Sequence, residues 1–187
     1  MNQVTFVLGG ARSGKSRYAE GLAAKHRGRK TYIATAQAFD DEMRGRIAKH
    51  RHQRGVGWET CEAPLDLAEA LAACKAGFVL IDCITVWIGN LMHHGRGADA
   101  EITRLCEALA RSKSRIVVVS NEVGSGIVPE NALARAFRDQ QGIANQRIAE
   151  VADEVIFVTA GLPRVLKKAR NKRAPTAKAR SWRGRKG

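Results

Sequence analysis

Only four cysteines occur in 187 residues, and no two of them form a C-x-x-C pair. Cys61, Cys74, Cys83 and Cys106 sit in apolar segments, so a zinc site is not expected and they read as reduced core thiols of a cytoplasmic protein. Long hydrophobic runs are also missing: the longest, Phe78 to Ile88, is short and broken by Asp82. The N-terminus has no charged n-region or cleavage site, so neither export nor a membrane span is expected. No internal repeat is visible. Aromatics make up 5% of the chain, and the basic C-terminal stretch holds a single one, Trp182, which argues against a base-stacking platform there. The segment Ser120-Asn121-Glu122-Val123 contains no Asn-Lys-x-Asp, so a regulatory GTPase is set aside.

The length and 44% apolar content suit one α/β domain able to bury a core without disulfides or metal. Net charge is +14, but Lys167 to Gly187 carries ten Lys or Arg and no acid, leaving +4 for the preceding body. Two units follow: a nucleotide-binding domain over 1–166 and a basic tail over 167–187. The tail reads as a solvated extension rather than a nucleic-acid or membrane-surface arm.

The strongest signal is Gly9-Gly10-Ala11-Arg12-Ser13-Gly14-Lys15-Ser16, a G-x-x-x-x-G-K-[ST] phosphate loop. It follows an apolar strand, Val4 to Leu8, and precedes a helical pattern with Ala19, Leu22 and Ala23 on one face. Glycines let consecutive N–H groups turn toward phosphate oxygens, and the helix N-terminus adds positive charge at the same point. Lys15 is expected to reach the β- and γ-phosphates, and Ser16 to offer its hydroxyl to a phosphate-bound Mg²⁺.

Downstream, Thr31 to Ala34 reads as a second strand, which puts Ala34, Thr35 and Ala36 near the phosphate loop. Asp40 to Gly55 is acidic at its start, basic at its end and closed by glycine, as a helix should be. Within it His50 shares a face with Met43 and Ile47, whereas His52 points elsewhere. On that pattern alone His50 reads as a packed histidine. Trp58 to Cys61 is compatible with a short strand, and Pro64 to Lys75 with an amphipathic helix. Phe78 to Asp82 is a buried parallel strand ending in a Walker-B-type carboxylate, a candidate for a magnesium or water role.

Thr85 to Met92 is a short helix and His93 to Gly97 an exposed polar loop. Ala98 to Ser112 is a helix striped by Ile102, Leu105, Cys106 and Leu109, and Ile116 to Val119 a fourth buried strand. The polar loop Ser120 to Asn131 leaves that strand's carboxyl end, where substrate contacts tend to gather; Asn121 and Glu122 either bind substrate, align a water or hydroxyl, or simply form a strand-end turn. Leu133 to Val151 is helical with an expected break at Gly142, Glu154 to Val158 is a final strand, and Gly161 to Leu166 ends the folded body. The alternation predicts a doubly wound, mostly parallel α/β sheet with a P-loop NTPase core.

The phosphate loop, Asp41-Glu42-Met43 with Arg46-Ile47 and His50, Asp82-Cys83-Ile84-Thr85, and Asn121 to Gly124 with Gly126 to Asn131 together resemble the bifunctional adenosylcobinamide kinase/adenosylcobinamide-phosphate guanylyltransferases of cobalamin biosynthesis. The resemblance runs in order from about Val4 to about Leu166. It implies a RecA-like sheet, a homo-oligomer (a trimer), and two reactions. The first phosphorylates the aminopropanol hydroxyl of adenosylcobinamide with a nucleoside triphosphate such as ATP; the second transfers GMP from GTP, through a histidine, to give adenosylcobinamide-GDP. By position that histidine is His50, with His52 the alternative if the helix ends early. The resemblance carries nucleotide contacts onto Gly9 to Ser16, Ala34 to Ala36, Arg51, His52, Gln53, Arg54, Glu62 and Asp82, with Mg²⁺ held by Ser16 and Asp82. Against it stand a nucleic-acid-stimulated RecA-like ATPase and a simple small-molecule kinase; nucleic acid is not the expected partner. The basic tail lies beyond the resembling region.

Overall fold

The computed structural model describes residues 3–37 and 57–168. Among them the chain runs β1 (Gln3–Gly9), α1 (Lys15–Ala24), β2 (Lys30–Ala34), β3 (Trp58–Glu62), α2 (Leu67–Ala73), β4 (Phe78–Asp82), α3 (Ile84–His93), α4 (Ala98–Arg111), β5 (Arg115–Asn121), α5 (Ala132–Val151), β6 (Glu154–Thr159) and β7 (Leu162–Lys167). The expected helix over 40–55, with His50 and His52, and the tail from residue 169 lie outside the described residues.

The strands form one sheet in the order β3-β2-β4-β5-β1-β6-β7, parallel except for β7. Apolar runs such as Val79-Leu80-Ile81 and Val117-Val118-Val119 are buried on both faces, as parallel strands covered by helices must be. Alternate residues build two cores. On one face Phe6, Ile33, Val79, Ile81, Ile116 and Val118 pack against α2 to α5 through Leu67, Trp87, Ile102 and Ile148. On the other, Val7, Tyr32, Phe78, Leu80, Val117 and Val119 pack against Ala19 and Ala23 of α1. The short edge strand β3 is held on that second face by Trp58, whose ring meets Tyr32 and Phe78 edge-on at 6.4 and 6.1 Å.

Four local expectations change. The helix expected over 64–75 covers only Leu67–Ala73, because the carbonyls of Pro64 and Leu65 are taken by Asn90 Nδ2 (3.0 Å) and Trp87 Nε1 (2.8 Å) of α3. Gly142 does not break α5, which runs unbroken through it: the flanking Gln141 and Asn145 bond to the end of β5 and Ile148 is buried, so tertiary contacts outweigh glycine's poor propensity. His93 belongs to α3, and Arg96 is not simply exposed: it pairs with Asp66 and Glu101, both at 2.6 Å. Finally, 161–166 is not a plain end but most of β7, paired antiparallel with β6 across a turn whose central residues, Ala160 and Gly161, have φ of 52° and 80°. Positive φ at both positions matches the right-handed twist of a tight hairpin, and Pro163 is tolerated on the edge strand.

Candidate active site

The carboxyl ends of the parallel strands carry the polar side chains. Register aligns Glu62 with Ala34 and Ala34 with Asp82, while Gly9 aligns with Asn121. Strand alternation puts Trp58, Tyr32, Leu80 and Val119 on the α1 face, so Glu62, Ala34, Asp82 and Asn121, an even number of residues further on, stand on that same face. Their side chains therefore share the side on which the phosphate loop enters α1.

The loop geometry depends on two glycines. Gly14 has φ of 93°, and a Cβ there would lie 3.1 Å from Gly161 Cα. A Cβ at Gly9 would stand 2.5 Å from the Val158 carbonyl oxygen and strike Ser13 Oγ. The hairpin turn supports the loop from outside: Gly161 N–H donates to the Ser13 carbonyl at 2.8 Å. Arg12, at the exposed tip, has φ of 54°, the kind of backbone strain that collects at functional loops.

Lys15 and Ser16 open α1 with the helix N-terminus beneath them. Lys15 is buried, and its Nζ donates to the Gly10 carbonyl at 3.1 Å. Burial lowers its pKa, while the Asp82 carboxylate acts against that drop. Asp82 Oδ2 accepts from the Tyr32 hydroxyl at 3.3 Å. Next to it, burial and the Asp82 charge push the Cys83 thiol up to about 12, so it stays protonated. The four cysteines are free and partly buried, Cys61, Cys74 and Cys106 packing against the core under α2 to α5 and Cys83 against the one under α1.

Thr35, placed near the phosphate loop by sequence, is fully buried, and its hydroxyl is used on both sides: it donates to the Cys83 carbonyl at 2.8 Å and accepts from the Cys83 N–H at 2.9 Å. Asn90 of α3 donates to the Thr35 carbonyl at 2.8 Å. This clasp fixes the segment after β2 against the end of β4 and so holds Asp82 in place. The sequence assigned no role to Asn90, to Gly161 or to Thr85, although Thr85 closes the Asp82-Cys83-Ile84-Thr85 motif; the available signal for Asn90 was a lone amide among the apolar residues of Ile84–His93. Of the sequence-derived contacts, Gly9 to Ser16, Ala34 and Asp82 gather on one face near the loop. Glu62, exposed on β3, lies four strand spacings from β1, about 19 Å across the sheet, in a row that meets β1 at Val7, two residues before Gly9. His50, Arg51, His52, Gln53 and Arg54 lie outside the described residues.

Residues 5–166 match the family described as cobinamide kinase / cobinamide phosphate guanyltransferase. The chain belongs to that family. It is 48% identical over 165 residues to the bifunctional adenosylcobalamin biosynthesis protein CobP of Pseudomonas aeruginosa, covering 86% of this chain and 95% of that one. It is 43% identical over 173 residues to CobU of Salmonella typhimurium, covering 83% and 95% respectively. Among solved structures, an ATPase of a type III secretion system aligns with TM-score 0.54 at 12% identity, over 85% of this chain and 51% of that one, a likeness of fold alone. A P-loop NTPase core within the cobinamide kinase/guanyltransferase family therefore accounts for both the sheet and the motifs, and neither the nucleic-acid-stimulated ATPase nor the simple kinase is favoured.

Proposed function

We propose that this chain performs both of its family's reactions at the carboxyl edge of the sheet. It would phosphorylate the aminopropanol hydroxyl of adenosylcobinamide with ATP or GTP, then transfer GMP from GTP through His50 to that phosphate. The observation that carries this reading is the convergence of the glycine-lined loop, Lys15 and Asp82 on one face of the sheet.

In the first step the loop N–H groups, the α1 N-terminus and Lys15 hold the β- and γ-phosphates in line for attack. The Ser16 hydroxyl and Asp82 carboxylate are hard oxygen donors, a set that fits Mg²⁺ shared with phosphates; the ion supplies neutralisation of phosphate charge. In the second step a neutral His50 nitrogen attacks the α-phosphorus of GTP, and pyrophosphate departs with the electron pair of the broken P–O bond. An oxygen of the corrinoid phosphate then displaces His50 from the resulting phosphoramidate. Arg46, Lys49, Arg51 and Arg54 are the cations that would neutralise the triphosphate. Ala34 to Ala36, Arg51, His52, Gln53, Arg54 and Glu62 complete the proposed nucleotide contacts. The distance of Glu62 from Gly9 suits the base, whose N1–H and N2–H a carboxylate accepts, rather than the phosphates.

Exposed Leu162, Val165 and Leu166 on β7 support a homo-oligomer, a trimer in our reading, and the free cysteines a reducing, cytoplasmic setting. No described helix is long and apolar enough to cross a membrane. The test is incubation with α-labelled GTP and Mg²⁺: an acid-labile, base-stable label is expected on the protein and should vanish in His50→Ala. No label, or label that persists in that variant, overturns the histidine role.

A further inference from the structure

At the junction of β1 and β5 lies a hydrogen-bond acceptor with no donor. Asn121 ends β5, and its backbone is fully held: its N–H donates to Thr85 Oγ1 at 2.8 Å, and its carbonyl accepts from Asn145 Nδ2 at 3.0 Å. Asn145 is itself fixed, its Oδ1 accepting from the Ser120 hydroxyl at 2.8 Å and from Gln141 Nε2 at 2.9 Å. Ser120 and Gln141 are fully buried. Ser120 points toward α5, so the next side chain, that of Asn121, alternates onto the α1 face with Lys15 and Asp82. Its Oδ1 is buried and has no hydrogen-bond partner among the described residues.

A buried carbonyl oxygen left unpaired is costly, and such groups are rare where nothing binds. Three side chains of α3 and α5 thus hold rigid a residue whose own amide oxygen is spent on nothing among the described residues. Its Cα lies one strand spacing, about 4.8 Å, from Gly9 at the mouth of the phosphate loop. An amide oxygen there repels phosphate oxygens, which the loop N–H groups and Lys15 already serve. It suits a donor instead, and the phosphoryl-transfer step brings one: the O–H of an alcohol.

We propose that Asn121 Oδ1 is the docking point for the acceptor hydroxyl in the kinase step, holding the alcohol oxygen toward the γ-phosphorus. The inference rests on the phosphorylation reaction proposed above and names a contact for its second substrate. The alcohol oxygen bonds to the γ-phosphorus, the bond from that phosphorus to the β–γ bridging oxygen breaks, and its electron pair leaves with the nucleoside diphosphate. The hydroxyl proton passes to a phosphoryl oxygen of the new ester. Asn121 neither gains nor loses a proton; it orients.

Asn121→Ala removes the acceptor without cutting a hydrogen bond between described residues, since those of Asn121 are made by its backbone. With adenosylcobinamide and ATP, kcat/KM for the corrinoid is expected to fall about 10- to 100-fold, while ATP affinity and ATP hydrolysis without corrinoid stay within about twofold of the parent. A second measurement uses the O-methyl ether of the acceptor hydroxyl as a competitive ligand, since it cannot donate. The parent should bind the alcohol about tenfold more tightly than the ether, and N121A should bind both alike. Parent-like transfer by N121A overturns the proposal. So does an equal loss of nucleotide affinity, which would put the amide on a phosphate or a metal-bound water, or an unchanged preference for the alcohol in the variant. Failure of the underlying reaction shows separately, as no phosphate transfer to the corrinoid by the parent, and it removes both.

Discussion

The two faces of the sheet are made from alternate residues of the same strands, yet they do different work. One is buried under four helices and holds Trp87, Ile88, Leu91, Ile102, Leu105 and Leu109, all fully buried. The other is covered, among the described residues, by α1 with its small Ala19 and Ala23, and it ends at Lys15, Asp82 and Asn121. The thick side supplies apolar burial, the main favourable term in folding. On the thin side Asp82 and Asn121 stay half-buried. Polar groups join the two: Thr35, Asn90, Thr85 and Asn145 reach across from the thick face to hold the backbone of the thin one. The proposed site therefore stands on the face that α1 covers, and the groups that hold its backbone come from the other.

The contrast predicts separable losses. Trp87→Ala opens a cavity in the thick face and removes one of two donors to the Leu65 carbonyl, so urea unfolding should show a loss of about 3–5 kcal/mol, with nucleotide affinity of the folded fraction unchanged. Lys15→Ala should do the reverse: phosphoryl transfer falls about 100- to 1,000-fold, while the melting temperature holds or rises, because a buried cation has been removed. A lower melting temperature in that variant would mean that Lys15 is structural as well. Thr35→Val, at the join, should cost about 1–3 kcal/mol in urea unfolding and also slow transfer, since both hydrogen bonds to Cys83 go and Asp82 loosens. Normal transfer in that variant would disconnect the faces. At the exposed edge, Glu59→Gln breaks the 3.4 Å pair with Arg29 and should change stability by less than about 1 kcal/mol and leave turnover alone.

Much of this was legible in the residues. The phosphate loop, the strand ending in Asp82 and the parallel order of elements all follow from short-range patterns, because a glycine turn, an apolar run and a helix stripe are set by neighbours in sequence. β7 was not: Ala160-Gly161 is not one of the dipeptides that mark a two-residue hairpin, and the pairing of β7 with β6 shows only in the fold. Helix α5 was read as broken at Gly142 because propensity is local, and the Gln141 and Asn145 bonds that override it reach residues more than twenty positions away. The Thr35 clasp is hidden from sequence for a similar reason: its position at the end of β2 is visible there, but its hydroxyl partners lie 48 residues on.

Local chemistry is thus enough to specify the phosphate cradle, the carboxylate at the tip of β4 and the alternation that predicts a wound sheet, since each depends on residues within a few positions of one another. Folding had to decide which face each strand-end side chain occupies, that Thr35 clasps Cys83, and that Asn121 is left with an unpaired oxygen beside Gly9. Those outcomes depend on strand register and on packing between distant segments, and a linear pattern does not encode either one until the chain has closed on itself.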